Sequence, residues 1–156
     1  MIDETSAIDK TKLIIPQLGR IYGHVAPLSY VFVRIVFAVI FLQNGMEKLF
    51  LGGADRIAAG NITKLGLSFP HAWAWTVAGL DFFGSILLGL GLFTRPVAVA
   101  FLVEVTVISF GIAAPRGFFW TTNGSEITLL MAFTFIGFLF GGGGRYSVDH
   151  LIGREF

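Results

Sequence analysis

Cysteine is absent from the 156 residues, which removes disulfides, thiolate chemistry and cysteine-ligated iron–sulfur clusters together. Charge is scarce as well: 13% of residues are Asp, Glu, Lys or Arg against 54% hydrophobic, far from the balance of a soluble domain. The net charge of +1 is too small to seek a phosphate backbone, so nucleic acid is not expected as a partner. Histidine is limited to His24, His71 and His150, none inside an apolar stretch, which disfavours a haem held between two membrane helices. No metal-ligand spacing, phosphate-binding loop or nucleophile elbow occurs, and no metal is expected. The polar start, Met1 to Lys12 with Asp3, Glu4 and Asp9, has no basic n-region leading into an apolar run, so no cleavable signal peptide is expected.

What the chain has is Phe and Gly, 17 and 20 of them, and long apolar runs. Four stretches, at about residues 28–46, 72–93, 96–114 and 126–141, meet the length of roughly 17–25 residues needed to cross hydrocarbon, the last at the short end. They are continuous, without the alternation that barrel strands need. The expected fold is an all-α membrane protein, a four-transmembrane-helix bundle with an N-terminal interfacial arm. Three parts follow: an arm over residues 1–27, the helical domain over 28–141 and a cytoplasmic tail over 142–156. The second stretch carries Asp81, whose insertion costs about 3 kcal/mol at mid-bilayer, but ten apolar neighbours at about −0.3 to −0.6 kcal/mol each outweigh it. The link Thr94-Arg95-Pro96 is so short that the second and third helices must be antiparallel neighbours.

An even number of spans puts both termini on one side. That side carries Lys10, Lys12, Arg20, Arg95, Arg145 and Arg154, the other Lys48, Arg56, Lys64 and Arg116, a slight bias toward cytoplasmic termini. Before the first span, Ile14, Leu18, Ile21, Tyr22 and Val25 share a helical face, while Lys12, Gln17, Arg20 and His24 lie elsewhere. This reads either as an interfacial helix starting near Pro16 or as an arm packed on a partner. Residues 52–70 read as a long loop with one helical turn around Arg56 to Ala59.

Ionisable residues within spans are the sharpest functional signal, because burying a charge in lipid is expensive. There are three: Arg34 in the cytoplasmic third of the first span, and Asp81 and Glu104 near mid-depth. A bundle can bring them into one buried cluster. If Arg34 neutralises one carboxylate, the other is protonated or paired elsewhere, since burial disfavours the ionised form. The cluster then either fixes helix register or handles protons.

A second polar group gathers at the opposite, periplasmic end, where Gln43, Asn44, Glu47 and Lys48 close the first helix and Glu126 opens the fourth. Arg34, Phe41, Gly45 and Lys48 share one helical face. Asn44, Glu47, Lys48 and Glu126 form a candidate site there, although Glu126 also suits a helix N-terminus, with Ser125 or Asn123 as cap. His71, Trp73 and Trp75, with Phe118, Phe119 and Trp120 on the same side, form an aromatic belt or, alternatively, a quinone-stacking surface. Gly141 to Gly144 read as a helix end and turn, with Ser147 capping a short helix through Ile152; an anion-binding nest is the alternative. Ala74 with Ala78, and Ser85 with Gly89, are small-residue pairs that let the second helix approach a neighbour of this chain or of another.

The stretch RIVFAVIFLQNGMEKLF, Arg34 to Phe50, resembles the first-helix pattern of the DoxX family, with its early Arg and late Gly-x-x-Lys. GSILLGLGLFTR (Gly84 to Arg95), Glu126 and the tail GGGGRYSVD (Gly141 to Asp149) extend the resemblance over about residues 28–156. The chain departs from the family pattern in having Asp81 where Glu is common and Gly143 where Pro is common, and in an arm before residue 25 that is longer than typical. The resemblance implies a four-helix protein of a bacterial inner membrane, in a family named for the small subunit of a quinol oxidase or thiosulfate:quinone oxidoreductase. Quinone is the one cofactor it suggests. Besides the lipid bilayer, the expected partner is a larger membrane or periplasmic protein or a second copy of the chain. Three roles follow: an accessory or anchor subunit serving quinone-linked redox chemistry, at most non-catalytic or quinone-binding; a non-redox subunit stabilising a larger complex; and a small-solute or proton pathway.

Overall fold

The computed structural model describes Ile15 and residues 18–153, with side chains left out at 18–24, 26 and 27. Expectations for Met1 to Ile14, for a start at Pro16 and for the apolar face of Leu18, Ile21 and Tyr22 lie outside the described residues and side chains. The described residues contain helices and no strand.

Helix α1, Leu18–Phe50, is continuous, so the last ten residues assigned to the arm run straight into the first apolar span. After Gly52, α2 (Gly53–Ile57) passes directly into a π-helical turn, Ala58–Ile62. Helix α3, Pro70–Leu90, and helix α4, Thr94–Arg116, are also long and apolar enough to cross a membrane, which with the Leu28–Phe50 part of α1 makes three such helices among the described residues. Helix α5, Glu126–Gly141, is apolar but shorter, and α6, Val148–Ile152, closes the described chain. Pro70 stands in the first turn of α3, where its missing N–H would have had no intrahelical partner.

Two cores hold these helices. The larger joins Ala38 and Phe41 of α1, Leu88 of α3, Val97, Ala98, Phe101 and Val105 of α4, and Phe135 and Phe138 of α5. Its rings interlock: Phe101 stacks on Phe135 at 5.0 Å between centroids, and Phe41 meets both at 4.6 and 5.3 Å. This ring cluster gives the bundle interior a shape that aliphatic packing alone would not specify. Outside it the polarity is inverted relative to a soluble protein, with Phe32, Phe83, Val103, Leu130, Phe133 and Phe140 all exposed, as lipid-facing side chains should be.

The second core is made of small residues, Ala54, Ala58 and Ile62 on the α2 segment against Ala74 and Ala78 of α3. The small-residue pair Ala74 and Ala78 therefore finds its neighbour within this chain. It also explains why residues 53–62 are helical rather than a loop with a single turn: Ala54, Ala58 and Ile62 recur every four residues, and that spacing buries one face. Gly89 of α3 faces α1, where a Cβ would lie 3.3 Å from the Ala38 Cβ, and buried Ser85 donates back to Phe82 O at 2.7 Å.

Candidate functional site

Mid-depth in α3 the helix widens into a π-helical turn, Leu80–Gly84, that carries Asp81. Such turns insert one extra residue and re-aim the side chains beside it, and they recur at functional sites. Opposite stands Gly45 of α1. A Cβ there would overlap the backbone of Asp81 and Phe82, so only glycine lets α1 and α3 meet at this level. Three residues on, Lys48 leans back along α1 toward the bundle interior, the direction in which helical side chains point. Its Nζ pairs with Asp81 Oδ2 and lies 3.7 Å from Glu104 Oε1 of α4. Glycine and lysine at this spacing thus form one device, the first closing the helices and the second placing a cation between two carboxyl groups.

All three groups are shielded. Asp81 is fully buried and Glu104 is 8% exposed, while the Lys48 side chain is mostly covered. One ammonium faces two carboxyl groups, and Asp81 Oδ1 and Glu104 Oε2 have no hydrogen-bond partner. On the far side of the triad a cavity of about 550 Å³ opens between α3, α4 and the α2 segment. Lys48 and Glu104 stand on its wall, with Asn61 and Thr76 as further polar groups and Trp73 beside them; Leu80, Val103, Ile108 and other apolar side chains make up the rest. Three π-helical segments border it, Ala58–Ile62, Leu80–Gly84 and Ile108–Ala113. In the last of these, Gly111 leaves the space into which Leu65 packs, which seats the segment after α2 against α4.

The sequence expectation of one cluster joining Arg34, Asp81 and Glu104 needs correction on geometry. Asp81 and Glu104 do meet, but their cation is Lys48. Arg34 lies 14 residues earlier on α1, roughly 21 Å away along the helix axis, and takes part in a separate assembly at the other end of the bundle. There, 1% exposed, it donates to the carbonyl oxygens of Gly143 and Tyr146, the latter at 2.8 Å. These carbonyls belong to the turn that follows α5, so backbone acceptors replace the carboxylate that the sequence reading supplied. Tyr30 joins in by donating to Gly142 O at 2.6 Å. Asp149 accepts from the Phe93 and Thr94 amides at 2.9 and 3.0 Å and from the Thr94 hydroxyl at 3.0 Å, capping α4 from a distant part of the chain. Sequence reasoning assigned Asp149 no role; the signal available was an acidic residue in an otherwise apolar chain's terminal motif.

The four residues of the second candidate site do not converge. Lys48 belongs to the triad. Glu47 pairs outward with Arg56 at 2.7 Å, and Asn44 returns a hydrogen bond to Ile40 O on its own helix at 2.9 Å. Glu126, in the first turn of α5, accepts from the Trp120 amide at 3.0 Å, and Ser125 makes no side-chain cap there. Ser147 does cap α6, accepting from the His150 amide at 3.1 Å. Among the described residues no group of three or more His, Cys, Asp or Glu is arranged to hold a metal ion.

The family model described as DoxX matches residues 29–114, a range that holds Arg34, Gly45, Lys48, Asp81 and Glu104. The chain is 37% identical over 128 residues to an uncharacterized protein of Haemophilus influenzae, an alignment covering 80% of this chain and 90% of that protein. It is 24% identical over 150 residues to an uncharacterized membrane protein of Mycobacterium tuberculosis, covering 90% of this chain and 91% of the other. No solved structure matches the chain significantly.

Proposed function

The chain belongs to the DoxX family of membrane proteins, and we propose that it serves as a small accessory or anchor subunit of a quinone-linked oxidoreductase, lodging a quinone headgroup beside Lys48 and Glu104. The observation that carries this reading is the apolar cavity of about 550 Å³ with those two ionisable side chains on its wall. Its size is that of small-molecule sites, and a few convergent polar groups on an apolar lining are what such sites use to orient a ligand. A quinone presents a flat apolar ring with two carbonyl acceptors. Lys48 donates to one carbonyl, Trp73 offers a ring to stack on, and the apolar wall takes the isoprenoid tail. With no cysteine, and with His24 before the apolar part of α1 and His71 in the first turn of α3 rather than mid-span, the electrons come from a partner chain.

In this reading α5 is a fourth crossing. Its 16 residues span roughly 24 Å against about 30 Å of hydrocarbon, and the exposed Phe118, Phe119 and Trp120 just before it make up the difference at the interface. Four crossings put both termini on the cytoplasmic side of a bacterial inner membrane, in line with the small excess of Lys and Arg there. The cavity then lies toward the periplasmic side, facing a membrane or periplasmic partner. Since Ala74 and Ala78 are used internally, that partner does not dock on them.

The test is purification of the full chain from its native membrane in mild detergent, with mass spectrometry of bound lipids and co-purifying subunits, followed by titration with a short-chain benzoquinone while Trp73 fluorescence is recorded against a Trp73→Phe reference. Saturable quenching of Trp73 that Lys48→Met abolishes supports the quinone site. A stoichiometric partner with no bound quinone and no specific quenching would leave a purely structural subunit.

A further inference from the structure

The triad is unbalanced in charge, and that imbalance faces the cavity. Lys48 and Asp81 form a direct ion pair, and Asp81 is fully buried. Glu104 stands farther from the ammonium, at 3.7 Å, is more than nine-tenths buried, and has one oxygen, Oε2, with no partner. Other groups do not restore the balance. On α1, Arg34 is held by the Gly143 and Tyr146 carbonyls, and Glu47 is occupied by Arg56. The α2 segment presents Asn61 to the cavity, and on α5 Glu126 is bound to the Trp120 amide. The Ser109 hydroxyl of α4 and the Thr128 hydroxyl of α5 bond to one another at 2.5 Å.

Two carboxylates and one ammonium in a lipid-embedded interior would leave an unpaired buried anion, which is far more expensive than retaining one proton. Asp81 keeps the salt bridge, so the proton rests on Glu104, the carboxyl group that also borders the cavity. We infer that Glu104 is a proton-exchange site, holding the single labile proton of the Lys48–Asp81–Glu104 cluster and exchanging it with the cavity. In the exchange the Glu104 O–H bond breaks, an O–H bond forms on a water or a protonatable headgroup in the cavity, and Lys48 stabilises the carboxylate left behind. The reverse transfer restores the acid. No electrons move in this step, and it requires no particular ligand.

Infrared spectroscopy of the full-length protein in lipid bilayers reads this directly. At neutral pH the protein should show the C=O stretch of a protonated carboxylic acid, shifting within minutes of transfer to D₂O and moving when glutamate, but not aspartate, carries a ¹³C carboxyl label. Glu104→Gln and Asp81→Asn should each remove the band, because either leaves one carboxylate for one ammonium. Lys48→Met should raise it about twofold, because both acids then keep a proton. Each variant is first checked for a monodisperse elution profile, and Glu104→Gln, being isosteric, keeps the experiment informative if the other two fold poorly. No band at neutral pH, a band that follows the aspartate label, or one that survives in Glu104→Gln overturns the proposal, as does a band that never exchanges with D₂O. Quinone binding is measured separately, so absence of Trp73 quenching would sink the quinone site without touching this result.

Discussion

Gly45 of α1 and Phe82 of α3 meet backbone to side-chain position so closely that a Cβ on Gly45 would overlap Phe82 N and Cα. Gly45→Ala should therefore push the two helices apart at the level of the triad. Overpacking of this kind costs about 1–3 kcal/mol, and it should also lengthen the reach from Lys48 to Asp81. Gly137→Ala on α5 is the matched control, since nothing lies within 4 Å of the added carbon; there, helix propensity alone should leave stability unchanged or raise it by up to about 1 kcal/mol. Thermal unfolding of both variants in the same detergent decides the matter, and equal effects would mean that the close approach is not tight.

The helical architecture was legible because lipid imposes a coarse rule: apolar runs of sufficient length become helices, and α3, α4 and α5 begin and end within a few residues of where hydropathy puts them. The shared face of Arg34, Phe41, Gly45 and Lys48 was legible too, from periodicity, and it is the face turned inward. Partner choice was not. Periodicity says which way Arg34 points but not that Gly143 and Tyr146 supply its acceptors, since backbone carbonyls carry no residue identity that a sequence displays. Lys48 was grouped with Asn44, Glu47 and Glu126 at the periplasmic end of α1, although its side chain turns back along the helix to pair with Asp81. The π-helical turns that re-aim Asp81 and widen the cavity wall have no sequence signature of their own.

Lys48 and Asp81 are partners, and Arg34 and Asp81 are not; a double-mutant cycle separates the two pairings. Lys48→Met leaves Asp81 and Glu104 without their cation and should cost about 3–5 kcal/mol, whereas Asp81→Leu leaves Glu104 to pair with Lys48 and should cost less. Lys48→Met and Asp81→Leu together should therefore lose much less stability than the sum of the single losses, whereas Arg34→Leu and Asp81→Leu should add. Yield of folded protein and unfolding midpoints are the readouts, and rescue in the Arg34 pair would contradict the assignment of its acceptors to the segment after α5.

Asp149 holds the turn between α3 and α4 with three accepted hydrogen bonds, from the Phe93 and Thr94 amides and the Thr94 hydroxyl. Asp149→Asn turns one acceptor oxygen into a donor, and it should cost roughly 2 kcal/mol. Thr94→Val removes only the hydroxyl bond and should cost about 1 kcal/mol. A graded loss in that order, read from unfolding midpoints, is expected; an Asp149→Asn variant as stable as the parent would show that the cap contributes nothing.

Arg34 makes its contacts as a fork, with Nη1 on Gly143 O and Nη2 on Tyr146 O. A lysine carries the same charge on a single ammonium and has no planar pair of donors with which to bridge these carbonyls. Arg34→Lys should thus recover only part of the stability lost in Arg34→Leu, a loss of about 3 kcal/mol for two charge-assisted bonds. Gly91 tests the same corner without altering any charge: it sits at φ 68°, and a Cβ there would come within 2.5 Å of Ser147 Cβ and 2.7 Å of Arg34 Nη1. Gly91→Ala is expected to displace the guanidinium and to resemble Arg34→Leu in stability while leaving the Lys48–Asp81–Glu104 triad intact. Full recovery in Arg34→Lys together with a harmless Gly91→Ala would mean that only positive charge is needed at this end of α1, and that the carbonyl fork is incidental.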